Sequence, residues 1–185
     1  MILRGHLQPV ISWRPDWRID DSPLLFLDLE TTGLFPERGQ KICQVALLDQ
    51  GGVRLHEIGT EADGSFPQDL ERDLLIELFQ ALRQNIAVGH NIVFDLRFLA
   101  HRAIRLDIPM PPLGMIDTLR LASRTLPDLS DHKLATVAKA LDIPLPDTLH
   151  QALPDAQLAR SVFETLVDTH HWRTLADVDA RKFSG

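Results

Sequence analysis

Residues 26–34 read FLDLETTGL. The apolar residues Leu24, Leu25, Phe26, Leu27 and Leu29 predict a buried strand over 24–30. Two carboxylates, Asp28 and Glu30, stand at its end. Side chains two apart in a strand point to the same face, so both acids share one side of a sheet. A buried carboxylate without a partner is costly. Three arrangements relieve it: a basic side chain from elsewhere, a retained proton, or a metal ion. The motif alone leaves all three open.

Working outward, TTGLFPERGQ (31–40) contains Gly33, Pro36 and Gly39 and reads as a loop. Residues 41–48 form a second strand, and Asp49-Gln50-Gly51-Gly52 a hairpin turn into a third, 53–58. Leu70, Leu74, Leu78 and Leu82 recur every four residues and place a helix over 69–83. IAVG (86–89) is a fourth strand, followed by a helix over 92–102. Pro109, Pro111 and Pro112 break the chain before a fifth strand at 115–117 and a short helix. Ser130 is the expected N-cap of the next helix, lined by Leu134, Val137, Ala138 and Leu141. The last helix starts near Pro154 and turns Leu158, Val162 and Leu166 to one side. A three-strand meander followed by helix, strand, helix, strand and helices specifies an α/β chain. We divide it into an N-terminal arm (1–22, with Trp13 and Trp17), a main domain (23–170) and a C-terminal tail (171–185).

The chain has 185 residues, 44% of them hydrophobic, enough for one domain with a substantial core. Its single cysteine, Cys43, excludes an internal disulfide and a cysteine-built zinc site, and its apolar surroundings predict a small core residue. No segment has the length and apolarity of a membrane span or secretory leader, so the expected location is the cytoplasm, away from membranes. Net charge is −7, which taken alone disfavours a polyanionic partner. The charge is uneven: residues 97–139 sum to +3, leaving −10 for the rest.

Two further stretches carry acids in pointed positions. In GHNIVFDLRFL (89–99) a strand ends at Gly89, a helix begins near Ile92, and Asp95 sits in its first turn, where a negative charge suits the helix dipole. His90 and Asn91 read as ordinary helix-entry residues. In HQALPDAQLARSV (150–162) Asp155 lies in the first turn of the last helix, on the face of Leu158, Ala159 and Val162, with His150 in the preceding loop. Each acid alone is accounted for as a helix-terminus charge. Together, four acids at strand ends and helix starts make an oxygen-rich site suited to hard divalent ions. A histidine beside them suits proton abstraction from water.

The ordered set resembles the DEDD superfamily of 3′–5′ exonucleases. Asp28-Leu29-Glu30-Thr31-Thr32-Gly33 is similar to its D-x-E-T-T-G motif, His90-Asn91 with Phe94-Asp95 to H-N-x-x-F-D, and His150 with Asp155 to H-x-A-L-x-D-A. IDTLRLA (116–122) and HKLATVAKALDI (132–143) extend the likeness, which runs over 24–168. The chain contains no tyrosine, so His150 implies the histidine (DEDDh) branch, which includes the proofreading epsilon subunit of bacterial DNA polymerase III. The resemblance implies an RNase H-like fold with a five-stranded mixed sheet and helices on both faces. It implies two ions, Mg²⁺ or Mn²⁺. Asp28, Glu30 and Asp155 would hold the first, Asp28 would bridge to the second, and Asp95 would support that ion. His150 would be the general base, and Thr31, Gly33, Leu34 and Phe94 would surround the terminal nucleotide.

The implied substrate is a nucleic acid 3′ end, single-stranded DNA in preference, with release of nucleoside 5′-monophosphates; polymerase subunits are conceivable partners. An exoribonuclease of the same branch is the nearest alternative, and sequence does not show whether the site accommodates a 2′-hydroxyl. A non-catalytic scaffold is disfavoured because all four acids and His150 are present. A structural metal protein is disfavoured because CxxC is absent. The Gly-Ile segment common after the family's third strand is missing from EIGTEADGSFPQD (57–69). No polymerase-tethering tail is evident after the last helix.

Overall fold

The computed structural model describes residues 12–183; the first eleven residues of the expected arm and the last two of the tail lie outside the described residues. Six strands form one sheet in the order β3-β2-β1-β4-β5-β6: β1 Leu24–Thr31, β2 Ile42–Asp49, β3 Gly52–Ile58, β4 Ile86–Gly89, β5 Gly114–Asp117 and β6 Arg181–Lys182. Strands β1 to β3 run as an antiparallel meander; β1, β4 and β5 are parallel, and β6 is antiparallel to β5. The expectation of five strands is therefore corrected to six. A two-residue strand has no periodicity to read; β6 forms because the outer edge of β5 offers unpaired backbone groups.

The sheet is covered on both sides, as the alternation in β1 requires. Leu25, Leu27 and Leu29 pack with helices α1 (Gln68–Leu82) and α2 (Ile92–Arg105). Leu24 and Phe26 pack on the opposite side with α3 (Thr118–Thr125), α4 (Leu134–Ala140) and α5 (Ala152–Thr169). Even-numbered positions of β1, Asp28 and Glu30 included, thus belong to the α5 side.

Several local expectations need correction. Leu70 is 55% exposed although Leu74, Leu78 and Leu82 are buried. A strict four-residue repeat advances 40° per step relative to the helix, so the stripe drifts off the core face, and Leu75 and Phe79 take its place. Ser130 does not cap α4. That helix starts at Leu134 after Lys133, and Asp131 instead accepts the Lys133 N–H at 3.0 Å. The 31–40 loop contains a 3-10 turn, Pro36–Arg38, closed by Gly39 at φ 86°. Cys43 is only half-buried. It lies at the open end of β2, where its carbonyl accepts the Gly59 N–H at 2.7 Å as the chain leaves β3.

The described part of the arm runs against the chain's end. Arg18 bridges Thr174, Ile19 donates to Arg173, and Leu175 donates to Trp17. Trp13 lies on Gly114 of β5, where any Cβ would come within 2.5 Å of its ring nitrogen. On the α1/α2 side, Arg102 makes a doubly hydrogen-bonded ion pair with Glu71, both contacts 2.6 Å and both residues buried. No helix among the described residues is long and apolar enough to cross a membrane.

Candidate active site

The centre of the sheet places the acids. Pairing of β1 with β4 ends at Phe26 and Val88, and β4 itself stops at Gly89. Here the chain must turn into α2 at once. Gly89 permits it, since a Cβ there would sit 2.7 Å from the Leu27 carbonyl. Asn91 takes a left-handed conformation (φ 63°), and its N–H donates to Asp117 at 2.9 Å. Asp117 also caps α3 by accepting the Leu119 N–H at 3.0 Å, so one carboxylate ties the starts of two helices together. The ring of His90 spans Thr118 Oγ1 (3.0 Å) and the His132 carbonyl (2.7 Å). These contacts fix the first turn of α2 beside the end of β1.

Asp95 projects from that turn, is 4% exposed, and accepts the Leu29 N–H at 2.9 Å. It thereby occupies a donor that β4, having ended, leaves without a strand partner. From the opposite side of the sheet, α5 brings Asp155 toward Glu30. The Gln44 side chain on β2, opposite Glu30, accepts the Ala152 N–H at 3.2 Å and anchors the α5 N-terminus. His150 holds φ 62° and donates its backbone N–H to Asp155 Oδ2 at 3.1 Å. One side-chain atom each of Glu30, His150 and Asp155 lie within 4.8 Å of one another. The structure thus gathers Asp28, Glu30, Asp95, Asp155 and His150, from β1, α2, and the first turn of α5 with the loop before it, at the carboxyl end of β1.

The electrostatics are those of a crowded set of acids. Asp28 has its pKa pushed from 3.8 to about 9, first by burial, then by Asp95, Asp155 and Glu30. Burial raises Asp95 well above the usual carboxylate range, the Leu29 hydrogen bond opposing it in part. Glu30 is raised by burial and by Asp155, with His150 acting the other way. Asp155 is raised by burial against the His150 hydrogen bond. No arginine or lysine makes an ion pair with any of the four among the described residues. A basic partner, one of the three ways to relieve Asp28 and Glu30, is thus not what the fold supplies. Asp155 Oδ1 is buried and has no hydrogen-bond partner among the described residues. An all-oxygen donor set with one buried, unpartnered lone-pair carrier fits a hard divalent cation.

Of the four predicted substrate residues, the structure brings Leu34 and Phe94, but not Thr31 and Gly33, to one cleft of about 390 Å³. Leu34, 69% exposed, and Phe94 line it together with Phe35, Pro36, Asn91 and Arg97. Phe94 is backed by the Phe98 ring, centroids 5.6 Å apart. Thr31 and Gly33 make contacts within the 31–40 loop instead. The Thr31 hydroxyl donates to the Gly33 carbonyl at 2.7 Å, and a Cβ on Gly33 would lie 2.3 Å from the Gln40 carboxamide. That carboxamide accepts the Phe35 N–H at 2.5 Å. Sequence reading passed over Gln44, Gln40 and Asp117. Gln44 did carry a signal: it is a lone polar residue inside the apolar run of β2.

Comparison with known proteins places this arrangement. The chain is 32% identical to DNA polymerase III PolC-type of Thermotoga maritima over 90% of its own length, and 26% identical to the 3′-5′ exonuclease DinG of Bacillus subtilis over 77%. It spans only 13% and 17% of those two longer proteins. Among solved structures, the nuclease domain of 3′hExo, a DEDDh family member bound to rAMP, superposes with TM-score 0.60 at 15% identity, covering 87% of this chain and 96% of that one. S. pombe Pop2p in a Mg²⁺- and Mn²⁺-bound form superposes with TM-score 0.59 at 16% identity, covering 83% and 86%. Both share the fold, which is of the RNase H-like exonuclease class. A family model described as Exonuclease matches residues 67–163, from the start of α1 through Asp155 and into α5. Because that match covers just over half the chain and spans both the helix that carries Asp95 and the loop that carries His150, the chain belongs to the exonuclease family.

Proposed function

We propose that this chain is a divalent-metal-dependent 3′–5′ exonuclease that removes nucleoside 5′-monophosphates from DNA, and that residues 23–170 are its catalytic domain. The observation that carries the reading is the buried Asp155 Oδ1, unpartnered among the described residues, within a cluster of four acids that no arginine or lysine pairs with among those residues. Asp28, Glu30 and Asp155 would hold one cation, and Asp28 with Asp95 a second. When bound, Mg²⁺ or Mn²⁺ would neutralise the acids and withdraw charge from the phosphodiester under attack.

The chain's own groups divide the remaining work. His150 takes the proton of the attacking water, its ring standing beside Glu30 and Asp155. Asp155 Oδ2, by holding the His150 N–H, keeps that residue in its left-handed conformation and so aims the imidazole. Asp95 fixes the end of β1 against α2 through Leu29, which keeps Asp28 and Glu30 in register with α5. Leu34 and Phe94 hold the last nucleotide between the loop and α2. DNA is favoured over RNA by the likeness to the PolC-type polymerase, which also makes a polymerase the partner to seek by co-purification.

The test offers 5′-labelled single-stranded DNA, mismatched duplex DNA and RNA in parallel, with Mg²⁺ or Mn²⁺. Products that shorten from the 3′ end, nucleoside 5′-monophosphates, fastest turnover on DNA and full arrest by EDTA are expected. Release from the 5′ end, or no cleavage of any polynucleotide, overturns the reading.

A further inference from the structure

A chain of net charge −7 repels the polyanion it must admit; ions held by the acids would relieve this only at the scissile phosphate, so cations outside the site are needed along the rest of the strand. The outer face of α2 and the 3-10 turn Pro36–Arg38 supply them. Arg97, His101 and Arg105 recur at i, i+4 and i+8 and form one ridge along α2. Neighbours on that ridge are separated by roughly 6 Å, from the 1.5 Å rise per residue of an α-helix. That is commensurate with successive phosphates of an extended strand.

Arg97 and His101 line the same cleft as Leu34 and Phe94. The Arg105 guanidinium reaches across to the turn, where a Cβ on Gly39 would meet its Nη1 at 3.5 Å. From the turn itself, the Arg38 guanidinium lies over the Phe35 ring, 4.4 Å from its centroid, and Phe35 is 43% exposed. Arg38, Arg97 and Arg105 are exposed and have no carboxylate within ion-pair distance among the described residues. Arg102, on the inner face of the same helix, is by contrast held by Glu71. Glu37 is the acid that lines the cleft against them.

Unpaired guanidiniums flanking an exposed aromatic ring are the composition of a single-strand channel. We propose that the groove between α2 and the Pro36–Arg38 turn carries the phosphodiester backbone of the nucleic-acid strand upstream of its terminal nucleotide. Arg97, His101 and Arg105 face successive phosphates, and Phe35 is a platform for a base. The inference rests on the exonuclease reading of the acid cluster and adds a direction to it. Arg97 follows Asp95 closely and Arg105 ends the helix, so the strand approaches along α2 from the helix's C-terminal end.

The test compares the wild type with the double variants R97A/R105A and R97K/R105K; all the replaced side chains are exposed, and thermal melting checks the fold. Binding of a fluorescent single strand about ten nucleotides long is read by anisotropy in EDTA at several salt concentrations. Hydrolysis is compared on that strand and on a dinucleotide. The alanine pair should bind the strand ~10-fold more weakly and lose about 1.4 from the slope of log affinity against log salt, roughly 0.7 for each phosphate contact removed. Its preference for the long substrate over the dinucleotide should fall in proportion, and the lysine pair should keep most of the slope. Wild-type slope and length preference in the alanine pair would overturn the proposal. If instead the wild type binds the strand with the expected slope but cleaves neither substrate, the exonuclease reading fails and the groove stands.

Discussion

Replacing Asp28 by asparagine should stabilise the metal-free protein. Asp28 lies on the α5 side of the sheet and takes part in no side-chain hydrogen bond among the described residues, while Asp95, Asp155 and Glu30 crowd it. Burial first, then these charges, raise its pKa from 3.8 to about 9. The sign follows from proton counting. Below 3.8 the folded and unfolded chains both hold the proton. Between 3.8 and about 9 only the folded chain holds it, so stability falls steadily as pH rises through that window. Above it the carboxylate is ionised in both states and the penalty is complete. At about 1.4 kcal/mol per unit, the part accrued by neutral pH is about 4 kcal/mol at most. Water reaching the cluster past the exposed His150 screens some of the repulsion, so about 2 kcal/mol is expected, or roughly 4–8 °C in Tm for a chain of this size. Asparagine keeps the shape and has no proton to retain. Calorimetry in EDTA from about pH 5 to about pH 9 should show the wild-type Tm falling with pH, that of Asp28→Asn falling less, and the gap widening. Added Mn²⁺ should raise the wild type and leave the variant nearly unmoved, because the stabilising ion has lost a ligand. A variant that melts at or below the wild type in EDTA across the whole range would show that Asp28 is a structural residue, and the electrostatic reasoning would fail.

His150→Ala keeps the backbone N–H that Asp155 accepts, so the Mn²⁺-induced thermal shift should persist while single-turnover hydrolysis slows ~10²-fold or more; wild-type rates would remove His150 from the role of base. Asp95→Ala strands the buried Leu29 N–H and should lose about 1–3 kcal/mol in urea titration of the metal-free protein, with Asp95→Asn losing less. Equal losses would mean that this hydrogen bond contributes nothing. Arg102→Leu leaves Glu71 buried and unpaired and should lose about 3–5 kcal/mol, while the double variant Arg102→Leu/Glu71→Leu should recover most of it. No recovery would show that the pair's shape, rather than its charge, matters to the packing of α1 on α2.

Asp28 and Glu30 could be singled out from sequence because each breaks an otherwise apolar alternation, and a break in a period-two pattern is visible within a few residues. Asp95 and Asp155 gave weaker signals, since an acid in a first turn is common on its own. What the pattern could not say is that these acids meet from opposite faces of the sheet. Asp95 belongs to the α1/α2 layer and Asp155 to the α3/α4/α5 layer. They converge because β1 outruns β4, whose early end at Gly89 exposes the edge of Leu29 to α2, while Glu30 extends further, toward α5. That geometry depends on strand order and relative strand length, and neither is a property of any single window of residues. The supporting groups were hidden for the same reason. Gln44 is satisfied by Ala152, 108 positions away, and Asp117 by Asn91, 26 positions back. A polar side chain that carries its own electrostatic penalty advertises itself locally. One whose role is to accept a distant N–H is indistinguishable, in sequence, from a surface residue until the chain has closed around it. The two-residue β6 lies at the same limit, since its strand character comes wholly from the free edge of β5. The acids and the groups that support them therefore differ in legibility although the site needs both, and substitutions at Gln44 or Asp117 act on the site through helix placement rather than through chemistry.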